Sequence, residues 1–127
     1  MSWRSGHVHL ATAPSPDLEH HLMRCRRREE RAVVLAARVR TFRAPPPEQV
    51  LASLRLTDSA RVRRHGHGYE LDAVFDDDGL DREALERRLR ATLNGAETSL
   101  GWASFPDDGV TLVALLEAAR AAAEMPA

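Results

Sequence analysis

The amino-acid sequence predicts an α/β (α+β) domain: a split βαβ core with one antiparallel sheet, flanked by an N-terminal and a C-terminal helix. Three observations carry this expectation. Residues 59 to 75, SARVRRHGHGYELDAVF, hold two runs of alternating apolar and polar residues around a glycine-rich turn, the pattern of a β-hairpin. A denser apolar run, AVVLAARVRTF at 32 to 42, precedes it, and a strand-like run, ETSLGWASF at 97 to 105, follows it. Between and beyond these runs, leucines recur at helical spacing.

Taken in order, residues 1 to 16 mix His7, His9, Pro14 and Pro16 with small residues and keep no sustained period, which reads as a flexible arm or a short added strand. Ser15-Pro16-Asp17-Leu18-Glu19 is a helix start, with Ser at the cap, Pro in the first turn and acids at the positive end of the helix dipole. That helix is expected to reach Glu30 and to bury Leu18, Leu22 and Cys25. Residues 32 to 42 are too apolar at their start for a half-exposed strand and too β-branched for a helix, so they read as a central strand whose end turns polar. Pro45-Pro46-Pro47 breaks the chain, and a helix from Pro47 to Leu56 turns Val50, Leu51 and Leu54 inward.

In the hairpin, Ala60 and Val62 alternate with Arg61 and Arg63, then Tyr69, Leu71, Ala73 and Phe75 with Glu70 and Asp72. The glycines of His65-Gly66-His67-Gly68 let the chain reverse. Asp76-Asp77-Asp78-Gly79 is a solvated turn, and Asp81 caps a helix whose Leu85, Leu89 and Leu93 recur every four residues until Asn94-Gly95 stops it. The strand at 97 to 105 carries Leu100, Trp102 and Phe105. Pro106-Asp107-Asp108-Gly109 then turns into a last helix, from Val110 to Glu124, packed through Leu112, Leu115, Leu116 and Ala119. This order is that of ferredoxin-like folds, with helices on one face of the sheet. The usual strand order places the 32–42 strand between the second hairpin strand and the last strand, with Arg38 and Arg40 beside Glu70 and Asp72.

A chain of 127 residues is most simply one domain. All 18 basic residues are arginine, and isoleucine is absent, as a GC-rich genome produces. The arginine count therefore says little about nucleic acid, and the net charge of -1 lacks the basic excess of a duplex binder. Cys25 is the single cysteine, so no internal disulfide forms and a reducing cytoplasm is the expected setting. No apolar run has the length of a membrane span or a signal peptide, so neither membrane nor nucleic acid is expected as a partner.

With that order in place, the chain resembles the GGDEF domain, the diguanylate cyclase branch of the nucleotidyl cyclase superfamily. SLGWASFPDDGVTLVALLEAARAAA is similar to the family's C-terminal strand, acidic turn and helix, and LDREALERRLRATL to the helix after its signature strand. His67-Gly68-Tyr69-Glu70-Leu71 would occupy the Gly-Gly-Asp-Glu-Phe signature, keeping the second Gly and the Glu. Arg38-Val39-Arg40-Thr41-Phe42-Arg43 would replace the Asp-x-Asp-x-Phe-Lys strand end, and Ala44-Pro45-Pro46-Pro47 leaves no room for the nucleotide-binding loop. The resemblance implies, for an active member, two GTP molecules joined into cyclic di-GMP with divalent metals on carboxylates, since oxygen ligands suit Mg²⁺. A guanidinium about 4 Å from such a cation is repelled by on the order of 8 kcal/mol at an effective dielectric near 20. Arg38 or Arg40 is therefore expected to fill the metal position and pair with Glu70, leaving no catalytic residue, no metal and no cofactor.

Arg55-Leu56-Thr57-Asp58 matches the family's RxxD site for cyclic di-GMP, where an Arg fork engages guanine or phosphate and the Asp accepts from guanine N–H groups. An arginine-rich chain yields such a match by chance, and here eight residues, Ser59 to Gly66, follow it where the family has about five. His65 and His67, with His7 and His9, have the donor chemistry for Zn²⁺ or Ni²⁺ but no completing ligand spacing, so they read as turn and surface histidines. The run RCRRREER from Arg24 to Arg31 is interrupted by Glu29 and Glu30, without aromatic residues, and reads as a solvated helix face. Trp102 and Cys25 read as packing residues. The expectation is a flexible arm over 1–16 and a degenerate, catalytically inactive GGDEF-like domain over 17–127. It would serve as a cyclic di-GMP receptor through Arg55 and Asp58, signalling to a separate protein or through self-association. The alternative is a protein-interaction or dimerisation scaffold that binds no nucleotide.

Overall fold

The computed structural model of the chain describes residues 8–9, 16–40, 59–65, 68–93 and 96–123. The elements are β1 (Val8–His9), α1 (Pro16–Arg27), β2 (Ala32–Arg40), β3 (Ser59–His65), β4 (Gly68–Asp76), α2 (Arg82–Leu93), β5 (Glu97–Phe105) and α3 (Leu112–Ala122). They form one five-stranded sheet in the order β1-β3-β4-β2-β5, antiparallel except for the parallel β1–β3 pair. The strand expected in the centre is there: β2 lies between β4 and β5. The expected helix from Pro47 to Leu56, the proline break and the hairpin turn at 66–67 lie outside the described residues.

Strand periodicity splits the core in two. Odd-numbered residues of β2 and β4 (Val33, Leu35, Leu71, Phe75 among them) pack against Leu85, Leu89 and Leu93 of α2. Even-numbered residues point the other way, where Val34 and Val74 meet Leu18 and Leu22 of α1 and Leu115 and Leu116 of α3. Helices therefore cover both faces of the sheet, which corrects the one-face expectation. The hairpin's alternation suggests a wet face at Glu70 and Asp72, yet every residue of β4 but its last is buried. Flanking helices add a second apolar layer over Val34 and Val74, and the polar residues beside them are enclosed with it.

Small residues set how close the second layer comes. Ala32, Ala36 and Ala103 lie buried beneath α1 and α3. A side chain at Gly101 would run into the Ala119 carbonyl oxygen of α3 and into Ala123, the residue that caps the helix. Local chemistry fixes the helix ends. Asp81 accepts from the Ala84 N–H at 3.0 Å at the start of α2. Thr111 accepts from the Ala114 N–H at 3.1 Å, so α3 begins at Leu112 and not at Val110. Gly79 turns the chain at φ 71°, a left-handed conformation that a side chain resists.

Candidate functional site

On the face covered by α1 and α3, the end of the sheet near the hairpin turn carries charge where the middle carries aliphatic groups. Antiparallel pairing places Arg38 opposite Glu70 on one side of β4 and Arg63 opposite it on the other. Arg38 donates to Glu70 Oε2 through Nε at 3.1 Å and through Nη2; Arg63 donates to Oε1 through Nε at 2.9 Å and through Nη2. Each carboxylate oxygen is thus held by the edge of one guanidinium group. Burial alone would raise the Glu70 pKa, but the hydrogen bonds and charges of Arg38 and Arg63 outweigh it and bring it down to about 2.

Arg40 does not join this cluster. In an antiparallel pair, two steps forward on β2 are two steps back on β4, so Arg40 faces Gly68 and not Asp72. It reaches solvent and forms an exposed pair with Glu97 at 3.7 Å. Gly68 is the tight point of this crossing, because a side chain there would strike the Val39 carbonyl oxygen. Of the other signature positions, Tyr69 and Leu71 pack into the α2 core, and His67 lies outside the described residues. Arg55 and Asp58 also lie outside them.

One pair deeper, Arg61 and Asp72 face each other across β3 and β4, each no more than 3% exposed in its side chain. Arg61 Nη2 donates to Asp72 Oδ2, and Arg120 Nη2 from α3 approaches both Asp72 oxygens at 3.4 Å. The Nε and Nη1 atoms of Arg61 are buried without a hydrogen-bond partner among the described residues, which costs about 1–3 kcal/mol per group. Burial, and next to it the charges of Arg63 and Arg120, lower the Arg61 pKa to about 10, so it stays charged at neutral pH. Sequence reasoning missed Arg61, Arg63, Asp72 and Arg120 as a unit. The signal was present, since a two-residue hairpin turn pairs Arg63 with Glu70 and Arg61 with Asp72.

At the other end of the same face, His21 of α1 is buried against β3 and β4. Its Nδ1 lies 3.0 Å from Ser59 Oγ and its Nε2 2.7 Å from Asp76 Oδ1. Cys25, one helical turn on, donates its S–H to Asp76 at 3.4 Å. Burial first and the Asp76 carboxylate next push the Cys25 thiol up to about 11. The Asp76 pKa is lowered: burial works the other way, but the hydrogen bonds from His21 and Cys25 prevail. His21, Cys25 and Asp76 bring three donor atoms within 4.8 Å of one another. Ser59 and Asp76 engage the two imidazole nitrogens and the thiol donates to Asp76, so the trio ties α1 to β3 and β4. The histidines singled out from sequence are elsewhere. His7 and His67 lie outside the described residues, and His9 and His65 are placed only as residues of β1 and β3.

Trp102 packs as expected, half-buried at 5.8 Å from the Phe75 ring, with its Nε1 donating to Glu86 at 2.6 Å and the Arg82 guanidinium 5.3 Å from its ring. The arginines of the RCRRREER run are exposed. No helix among the described residues is long and apolar enough to cross a membrane.

No family model and no curated protein matches the chain. Solved structures do. The GGDEF domain of YfiN (TpbB) from Pseudomonas aeruginosa is 16% identical, with a TM-score of 0.63 over 84% of this chain and 82% of that one. A sensory box/GGDEF family protein from Caulobacter crescentus is 23% identical, with a TM-score of 0.62 over 84% and 85%. The diguanylate cyclase SiaD of Pseudomonas aeruginosa, solved in complex with its activator SiaC, is 16% identical, with a TM-score of 0.62 over 84% of this chain and 50% of SiaD. The chain therefore has the fold of a GGDEF domain. The metal that this fold family implies would sit at Glu70. The residues there do not fit it, because both Glu70 oxygens are taken by guanidinium groups whose charge repels a cation.

Proposed function

We propose that this chain is a non-catalytic GGDEF-like domain of bacterial cyclic-dinucleotide signalling. The observation that carries the reading is the closed cluster Arg38–Glu70–Arg63. Divalent-metal chemistry needs converging carboxylates and an open coordination position, and two arginines on one glutamate supply neither. The fold retained around that cluster then serves recognition. Its ligand is cyclic di-GMP, taken up by Arg55 and Asp58, with the arginine fork on guanine or phosphate and the carboxylate on guanine N–H groups. Occupancy passes to a separate protein or through self-association.

Titration of the purified chain with cyclic di-GMP by calorimetry, with GTP and Mg²⁺ incubated in parallel, tests both halves. Saturable dinucleotide binding abolished by Arg55→Ala, together with no GTP turnover, is the expected result. Mg²⁺-dependent consumption of GTP overturns the non-catalytic half. A second reading is a protein-interaction scaffold that binds no nucleotide; its protein-binding half is supported by the structure of SiaD bound to its protein activator. Absence of any dinucleotide heat, with a partner still retained by Arg55→Ala, would select it.

A further inference from the structure

We propose that the cleft between β3 and α3 binds a phosphate group through Arg61, Arg63 and Arg120. The cleft measures about 160 Å³ and is lined by these three arginines with Val113, Leu116 and Glu117. Arg61 is its most buried wall, 2% exposed, while Arg63 and Arg120 stand nearer the surface at 22% and 31%.

Unsatisfied donors are the first argument. Among the described residues, Asp72 engages only Nη2 of the three guanidinium nitrogens of Arg61, and the N–H groups of Nε and Nη1 have no partner there. Buried donors of this kind are rare in folded proteins, and a bound anion is one of the few groups that can satisfy several at once. Charge is the second. Arg38, Arg61, Arg63 and Arg120 share the two carboxylates Glu70 and Asp72. Counted over the described residues, four guanidinium groups thus meet two carboxylates, and Glu117 at the cleft adds a third. A phosphate suits this arrangement better than a carboxylate, because its oxygens can serve guanidinium groups on different sides.

Size and walls narrow the ligand. A water occupies about 30 Å³ in the liquid, so the cleft has room for a phosphate and a short ester carbon. Leu116 is buried and Val113 is 59% exposed, giving the organic side of an ester an apolar wall. Glu70 and Asp72 already hold Arg63 and Arg120 in place, so little side-chain ordering is left to oppose binding.

Full-length ¹⁵N-labelled protein is titrated with inorganic phosphate, methyl phosphate and acetate at ionic strength held constant with chloride, following arginine Nε–H resonances and Tm. A saturable shift of the Arg61 resonance and a raised Tm with either phosphate, and neither with acetate, is the expected result. The tighter of the two phosphates distinguishes the free anion from an ester. Arg120→Ala, at a partly exposed position, should keep the native circular dichroism and weaken phosphate binding by about tenfold or more. Arg61→Met strands Asp72, so it is combined with Asp72→Asn, and the pair should abolish binding. An acetate or chloride effect equal to that of phosphate, no saturable shift, or undiminished binding by folded Arg120→Ala would overturn the proposal.

Discussion

Arg38 and Glu70 face each other in register across β2 and β4, and their ion pair closes one half of a carboxylate whose other half is closed by Arg63. The pairing determines both the electrostatics of this end of the sheet and how stability responds to acid.

Glu70 titrates at about 2 in the folded chain, below its ordinary value of 4.5. A depressed carboxylate contributes stability that is fully present above the unfolded value and is lost as pH falls towards the folded one. Glu70→Gln should cost on the order of 3 kcal/mol at pH 7, since it leaves two part-buried arginines short of charge. The difference from the parent should shrink as pH falls from about 4.5 towards 2, in urea unfolding followed by circular dichroism. A difference that is the same at neutral and acid pH would contradict this.

The register separates two arginines that look equivalent in sequence. Arg38→Ala should destabilise by about 2 kcal/mol, because it removes a part-buried, charge-assisted contact. Arg40→Ala should change stability by no more than about 0.5 kcal/mol, because its pair with Glu97 is exposed. Equal losses in chemical denaturation would mean that the β2–β4 register is wrong.

Two glycines serve different ends. Gly101→Ala should cost about 3 kcal/mol or more, since a methyl group collides with the backbone of α3 and the helix must lift from β5. Gly79→Ala meets open space and bears only the left-handed backbone, about 1 kcal/mol. Thermal melts of the two variants check the ranking.

Cys25 should be a slow thiol. With its pKa at about 11 in place of 9 and its sulfur buried, native protein should react with a disulfide reagent at pH 8 about a hundredfold or more slowly than the unfolded chain. Asp76→Asn removes the adjacent carboxylate and should speed the native reaction. An unchanged rate in that variant would argue that burial alone protects the sulfur.

Most of the described fold was legible in the sequence. Leu85, Leu89 and Leu93, and Leu112, Leu115, Leu116 and Ala119, are buried as their spacing requires. So are Leu18, Leu22 and Cys25 on α1. His21 was not read, although it stands one helical turn before Cys25, because its partners Ser59 and Asp76 lie on strands far away in the chain. That Arg38 or Arg40 pairs with Glu70 was expected from strand order; the β2–β4 register selects Arg38, Arg63 required the hairpin register and Arg120 the docking of α3.

The sequence by itself determined the order and type of the described elements from α1 onward and the central place of β2, because apolar periodicity and turn chemistry are local properties that the chain carries wherever it folds. Tertiary structure alone decided that both sheet faces are covered, that Arg40 points to water while Arg38 is held, and that Arg61 is buried beside Asp72 with donors to spare. These follow from pairing register and from how closely α1 and α3 approach small residues such as Gly101 and Ala103, distances that no single segment encodes.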